Sequence, residues 1–157
     1  MPDGRTHHVI WGRAWPVVLG TVGVLLVIQE YELAAGITLG YGLGRYLDPD
    51  LDVMGTTGGD ARMVNELPVL GLLLYGYWSV YGAFFRRHHR SKWTHSPFIS
   101  TAIRFVYQFW LPALAIYHYH VNWAWWLMLG MYGGLTFADV LHWAADTLSG
   151  ELRRSKR

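Results

Sequence analysis

Four long apolar runs, separated by short polar segments, dominate the pattern of this sequence. They cover about residues 14–28, 33–47, 98–117 and 123–141. A transmembrane helix needs roughly 20 apolar residues, so the first two runs would need their flanking residues or a thinned bilayer to cross. We predict membrane-spanning helices rather than soluble core helices, because four such runs leave almost no polar face for water.

A fifth apolar run, residues 67–85, either spans the membrane or lies in its interface. Because Lys and Arg concentrate in cytoplasmic loops, their positions separate the two options. With 67–85 interfacial and the N-terminus cytoplasmic, all 13 Lys and Arg residues lie on or just inside the cytoplasmic side, and the outer loops at 29–32 and 118–122 carry none. The sequence therefore predicts an all-α integral membrane helical bundle in the inner membrane, with about four transmembrane helices, one interfacial or re-entrant helix and both termini in the cytoplasm.

The composition agrees with a membrane protein. Apolar residues make up 52% of the 157 residues and charged residues only 15%, against roughly 25% in soluble domains. The length suits a single domain covering residues 1–157. The net charge of +2 gives no indication of nucleic-acid binding. Because Cys is absent, disulfides and thiolate metal sites are excluded, so any metal must be held by His, carboxylate or backbone oxygen.

Glycines recur every four residues in two of the apolar runs, at 36, 40 and 44 and again at 130 and 134. On membrane helices this spacing lets two backbones approach each other closely. The segment GYGLGR, residues 40–45, has the glycines of a nucleotide-binding loop but lacks the Lys-Ser/Thr of a P-loop and a preceding strand. The spacing therefore predicts helix packing.

Side chains that can bind a metal form four clusters. They are His7 with His8; Asp48, Asp50 and Asp52; His88, His89 and His95; and His142 with Asp146, which share one face of a helix. Taken alone, each has a structural explanation: a polar membrane flank, a polar turn, a basic anchor for anionic lipids or a hydrogen-bonded pair at a helix end. The topology derived from Lys and Arg puts all four at the cytoplasmic face, which favours a shared metal site. His and carboxylate ligands suit zinc, manganese or iron.

The motifs GRTHH, DPDLD, HHRSKWTHSP and HWAAD resemble, over nearly the whole chain, an uncharacterised family of membrane metal-binding proteins, a domain of unknown function. More distantly, the chain is similar to the YdjM-like inner-membrane metal-dependent hydrolases. The resemblance implies a divalent metal held by His7, Asp50, Asp52, His89, His95, His142 and Asp146. It also implies a substrate-binding motif of Arg90, Ser91 and Thr94, in which Arg90 would hold a phosphate through two hydrogen bonds.

Three functions follow as hypotheses. The first is a metal-dependent hydrolase of a lipid or lipid-linked phosphoester, in which the metal activates water and Asp48 or Asp52 acts as general base. The second is a non-catalytic membrane protein whose metal staples its helices together. The third is an accessory subunit of a larger membrane complex. The expected partners are membrane lipids with anionic or phosphorylated headgroups, and no nucleic acid.

Overall fold

The part of the chain that the structure describes is entirely α-helical. A computed structural model describes residues 4–44, 46–47, 65, 68–88 and 96–154. Its helices are α1 (Gly4–Arg13), α2 (Trp15–Val27), α3 (Tyr31–Leu43), α4 (Pro68–Phe85), α5 (Pro97–His118) and α6 (Trp123–Arg154), and a 3-10 turn, Arg86–His88, follows α4. Backbone hydrogen bonds continue across Ala14, so α1 and α2 form one helical rod and the described residues form five rods with no strand. The predicted all-α class is confirmed.

The helix boundaries differ from the apolar runs at three ends. The first helical rod begins at Gly4, before the apolar run at 14–28, so His7 lies within a helix rather than in a flanking segment. Helix α3 ends at Leu43, although hydrogen bonds to the Leu43 carbonyl continue the turn as far as Leu47. Helix α6 continues to Arg154, well past the predicted end at residue 141, because Ala, Leu, Glu and Arg favour helix whether or not they are apolar.

Within the described residues, two helical segments are long and apolar enough to cross a membrane, Val9–Val27 and Pro97–His118. Helix α4 is a shorter apolar helix. Large apolar side chains lie on the outer surface of the described bundle, among them Val27 at 82% exposure and Val69 at 77%. These features favour association with a membrane, since surfaces of this kind are unusual on a soluble protein.

The glycine spacing brings α3 and α6 into backbone contact. A Cβ atom built on Gly36 would lie 2.9 Å from Cα of Gly130, and one built on Gly134 would lie 2.7 Å from the backbone nitrogen of Tyr41. Real Cβ atoms do not approach this closely, so only glycine fits at these positions. The predicted close packing of the two glycine repeats is confirmed.

Helices α3 and α6 run parallel to each other. Gly36 lies against Gly130, and two turns later Gly44 lies against Ala138, so residue numbers rise together along the interface. Helix α5 instead runs antiparallel to α6, because a short turn at 119–122 joins them and Arg104 in the first half of α5 pairs with Asp139 in the middle of α6. The two parallel helices therefore form the centre of the bundle, and α5 folds back against one of them.

The α2–α3 and α5–α6 connections end their first helix in the same way. Gln29 has φ 64° and His120 has φ 53°, and each follows directly after the cap residue of its helix. In both turns the next amide donates to a carbonyl five residues back, from Glu30 to Leu25 and from Val121 to Ile116. These are the features of a Schellman motif, which here produces two tight helical hairpins.

Helix α4 packs on α5 through aromatic side chains. The hydroxyl of Tyr107 donates to the Tyr77 carbonyl at 2.7 Å, and the hydroxyl of Tyr77 donates to the Tyr107 carbonyl in return. Next to this pair, Trp78 and Tyr81 are buried against Leu47, just past the end of α3. The middle of α4 therefore contacts the end of the bundle where α3 terminates.

Candidate metal centre

An ion pair is buried at the end of the bundle where α3 terminates. Arg104 of α5 and Asp139 of α6 are each 1% exposed, and the guanidinium donates to the Asp139 carboxylate. A second nitrogen of the same guanidinium donates to the carbonyl of Leu47. A lone charge in such an environment is costly, so the one charge of the apolar run 98–117 lies against the one charge of the run 123–141.

Thr101 connects this ion pair to the first turn of α5. Its hydroxyl lies within hydrogen-bond distance of the Asp139 carboxylate and of the Pro97 carbonyl. A hydroxyl carries one proton and so donates to one of these acceptors at a time. Thr101 and Arg104 of α5 and Asp139 of α6 together form a polar clamp, which also bonds to Leu47 just past the end of α3.

His142 and Asp146 lie on the next two turns of α6 beyond the clamp. His142 Nε2 is 3.4 Å from an Asp146 carboxylate oxygen, and their side chains are 8% and 34% exposed. The prediction that the two share a helix face is confirmed. An imidazole nitrogen beside a carboxylate oxygen is a donor set that fits zinc, manganese or iron, so these two residues are able to contribute to a metal site.

The other predicted ligands are not described. His7 lies in α1, and its side chain is outside the described part of the structure. Outside the described residues lie Asp48, Asp50, Asp52, His89, Arg90, Ser91, Thr94 and His95. Among the residues that are described, no three His, Asp or Glu side chains come together as a group that could hold a metal.

The first helical rod runs beside the same end of α6. Trp11 of α1 donates through its indole nitrogen to the Tyr41 carbonyl at 3.1 Å, and the two rings stack with centroids 5.3 Å apart. Trp11 also packs against the cluster that contains Ala138. His7 lies one helical turn before Trp11, and His142 lies one turn after Ala138. The backbones that carry these two histidines therefore lie toward the same end of the bundle.

The sequence interpretation did not assign Arg104 and Asp139 to the site. Each is the single charged residue of its apolar run, 98–117 and 123–141. Their pairing could have been predicted from the sequence, because two apolar runs joined by a short turn carry opposite charges. Neither charge is stable alone in an apolar environment.

The described residues form an all-α bundle in which a His–carboxylate pair lies next to a buried ion pair. The chain belongs to the family described as uncharacterized metal-binding protein (DUF2227), whose sequence model matches residues 2–139. This match includes the clamp and the first three candidate clusters, and it ends before His142 and Asp146. No curated protein and no solved structure matches the chain. The more distant resemblance to YdjM-like hydrolases gains no support from these comparisons.

Proposed function

We propose that this protein is a multi-pass membrane protein that binds a divalent metal ion through His and Asp at the cytoplasmic end of its helical bundle. The observation that carries the proposal is the His142–Asp146 pair beside the polar clamp, in a chain whose family is described as metal-binding. The ion is zinc, manganese or iron, according to the ligand types.

The parallel direction of α3 and α6 supports the predicted topology. In the four-span arrangement both helices run from the outside to the cytoplasm, because the chain crosses the membrane once, as α5, between them. If α4 also crossed, α6 would run opposite to α3. The parallel packing at Gly36 and Gly130 therefore favours an α4 that does not cross, and its contact with Leu47 favours a position near the cytoplasmic side.

Cysteine labelling tests this topology without background, because the natural chain has no Cys. We expect Asn122→Cys, in the α5–α6 turn, to react with a membrane-impermeant maleimide in intact cells. Arg86→Cys, just after α4, should react only after the membrane is opened. Glu30→Cys serves as a control, since it lies outside whether or not α4 crosses. The reverse pattern at 122 and 86 would show that α4 spans the membrane.

Chain connectivity supports a site that includes the undescribed ligands. Leu47, which accepts a hydrogen bond from Arg104, directly precedes the DPDLD segment. Pro97, which accepts from Thr101, comes two residues after His95. Consecutive Cα atoms are 3.8 Å apart, so these ligands start from points within reach of the clamp.

Two roles suit a metal at this position. A metal held by ligands from several helices fastens them together, which is the structural role. His142 lies one residue past the predicted end of the fourth span, at the level of lipid headgroups, and this position favours the second role, hydrolysis of a lipid-linked phosphoester. A bound divalent ion supplies an acidified water and polarises a phosphoryl oxygen. Asp48 or Asp52 would then serve as general base, and Arg90 would hold the phosphate.

Metal content provides the direct test. We expect the purified protein to carry a stoichiometric divalent ion, measured by elemental mass spectrometry. His142→Ala and Asp50→Asn should each reduce metal affinity by roughly tenfold or more, because each removes a ligand. His118→Ala is the matched control, since His118 is exposed at the opposite end of α5.

A metal-free wild-type protein, or variants that retain its metal, would refute the proposal. The two roles then separate by chelation. Loss of thermal stability on metal removal, without turnover of phosphoester lipids, identifies the structural role. Turnover that depends on metal and on Asp48 or Asp52 identifies the hydrolase.

A further inference from the structure

Arg104 joins two parts of the chain that carry candidate ligands. Its guanidinium donates to the Leu47 carbonyl and to the Asp139 carboxylate, and the whole side chain is 1% exposed. Leu47 is the last described residue before Asp48. Asp139 lies one turn before His142 on α6. A single buried side chain therefore fixes Leu47, the residue before the DPDLD segment, relative to the helix that carries His142.

Thr101 adds the third ligand-bearing segment. It lies in the first turns of α5, is fully buried, and has its hydroxyl between the Pro97 carbonyl and the Asp139 carboxylate. Pro97 begins α5 directly after the segment that contains His89 and His95. The Asp139 carboxylate in the middle of α6 thus bonds to Thr101 near the start of α5 and, through Arg104, is connected to Leu47 just past the end of α3.

Stability alone gives a poor explanation for this arrangement. Placing two charges in an apolar interior costs free energy that their attraction often fails to recover, and apolar side chains of similar size are frequently as good or better. The surroundings of the ion pair are apolar, with Leu47 and Leu135 buried in the same region. Apolar side chains cannot form directed hydrogen bonds, and so they cannot fix the relative positions of three backbone segments in this way.

We propose that the polar clamp is a positioning device for the metal centre: Thr101, Arg104 and Asp139 set the relative positions of the three ligand-bearing segments without touching the ion. This inference rests on the proposed metal-binding function. Residues that orient ligands from behind typically change metal affinity by about 10–100-fold when they are replaced. Replacing the clamp should therefore change the metal affinity and the geometry of the ligands, although the ligand residues themselves remain in the chain.

The decisive variant is the apolar double replacement Arg104→Met/Asp139→Leu, which removes the directed bonds and leaves no unpaired charge. We expect it to remain folded, with a thermal midpoint in detergent close to that of the wild type. Its affinity for zinc and for manganese, measured by competition with a chelating dye, should fall by about 10–100-fold. The absorption spectrum of the cobalt-substituted protein should also change, because that spectrum reports the ligand geometry.

Thr101→Val is the second variant, and it removes one hydroxyl with little change in shape. It should also weaken zinc binding, by a smaller factor, and it keeps the proposal testable if the double variant does not fold. Gln108→Leu is the matched control on α5, because the Gln108 side-chain oxygen is buried without a hydrogen-bond partner and belongs to no ligand-bearing segment. It should bind zinc as the wild type does.

The outcomes separate this inference from the function on which it rests. If the wild type binds no zinc or manganese, the proposed function fails and the positioning role fails with it. If the wild type binds metal and His142→Ala weakens that binding, while a folded clamp variant keeps the wild-type affinity and cobalt spectrum, only the positioning role is overturned.

Discussion

Replacing Gly40 with alanine should destabilise the bundle by about 3 kcal/mol, at the upper end of the usual cost of overpacking. A Cβ atom on Gly40 would lie 2.7 Å from Cα of Met131, and its other near neighbours are also backbone atoms of that residue. A flexible side chain could rotate away from such a contact, but a helix backbone cannot. Helices α3 and α6 would have to move apart along their whole interface, and the loss should be seen as a lower thermal midpoint in detergent.

Gly42→Ala is the matched control for this substitution. It lies in the same helix, two residues away, and a Cβ atom there would meet nothing within 4 Å. Alanine favours helix over glycine by about 1 kcal/mol, so this variant should be as stable as the wild type or more so. Equal stability of the two variants would mean that α3 and α6 do not pack through Gly40.

The central helix contact could be predicted from the sequence because it depends on a local pattern. Glycines four residues apart form a continuous groove on a helix wherever that helix lies, so the spacing at 36, 40 and 44 indicated close packing directly. The glycine spacing at Gly130 and Gly134 also identified α6 as the partner helix. The parallel direction of the pair was not visible in the pattern itself, although it agrees with the topology derived from Lys and Arg.

The ends of the helices could not be predicted, because tertiary contacts and propensity set them rather than hydropathy. The segment before Ala14 is polar, and its helix is held through Trp11, which stacks on Tyr41 from a helix distant in sequence. Helix α6 extends past the apolar run because its later residues favour helix without being apolar. Hydropathy indicates which residues avoid water, but it contains no information on tertiary contacts or on helix propensity.

Within the candidate site, the sequence predicted the contact between two residues that are one helical turn apart. His142 and Asp146 are four residues apart, and the structure has them on one face of α6. Their role as ligands stays a prediction, as does that of the residues outside the described part of the chain. The clamp was missed because Arg104 and Asp139 are 35 residues apart, and their contact depends on how α5 turns back on α6.

Removing one member of the buried ion pair should have an effect as large as the glycine substitution. Asp139→Leu leaves the Arg104 guanidinium buried with a hydrogen bond to the Leu47 carbonyl but no counter-charge. Breaking a buried pair in this way costs about 3–5 kcal/mol. We expect the variant to show a much lower thermal midpoint in detergent and a reduced yield of monodisperse protein.

The second replacement should restore most of what the first removes. In Arg104→Met/Asp139→Leu no charge is buried, and the pair is exchanged for apolar side chains in apolar surroundings, a change that is often neutral or stabilising. A double variant more stable than Asp139→Leu alone is therefore expected, and a double-mutant cycle measures the coupling. Additive losses would contradict the burial of both charges in one pair. Recovery of stability without recovery of metal affinity would separate the two properties, because it would leave the directed hydrogen bonds of the clamp as the feature that metal binding requires.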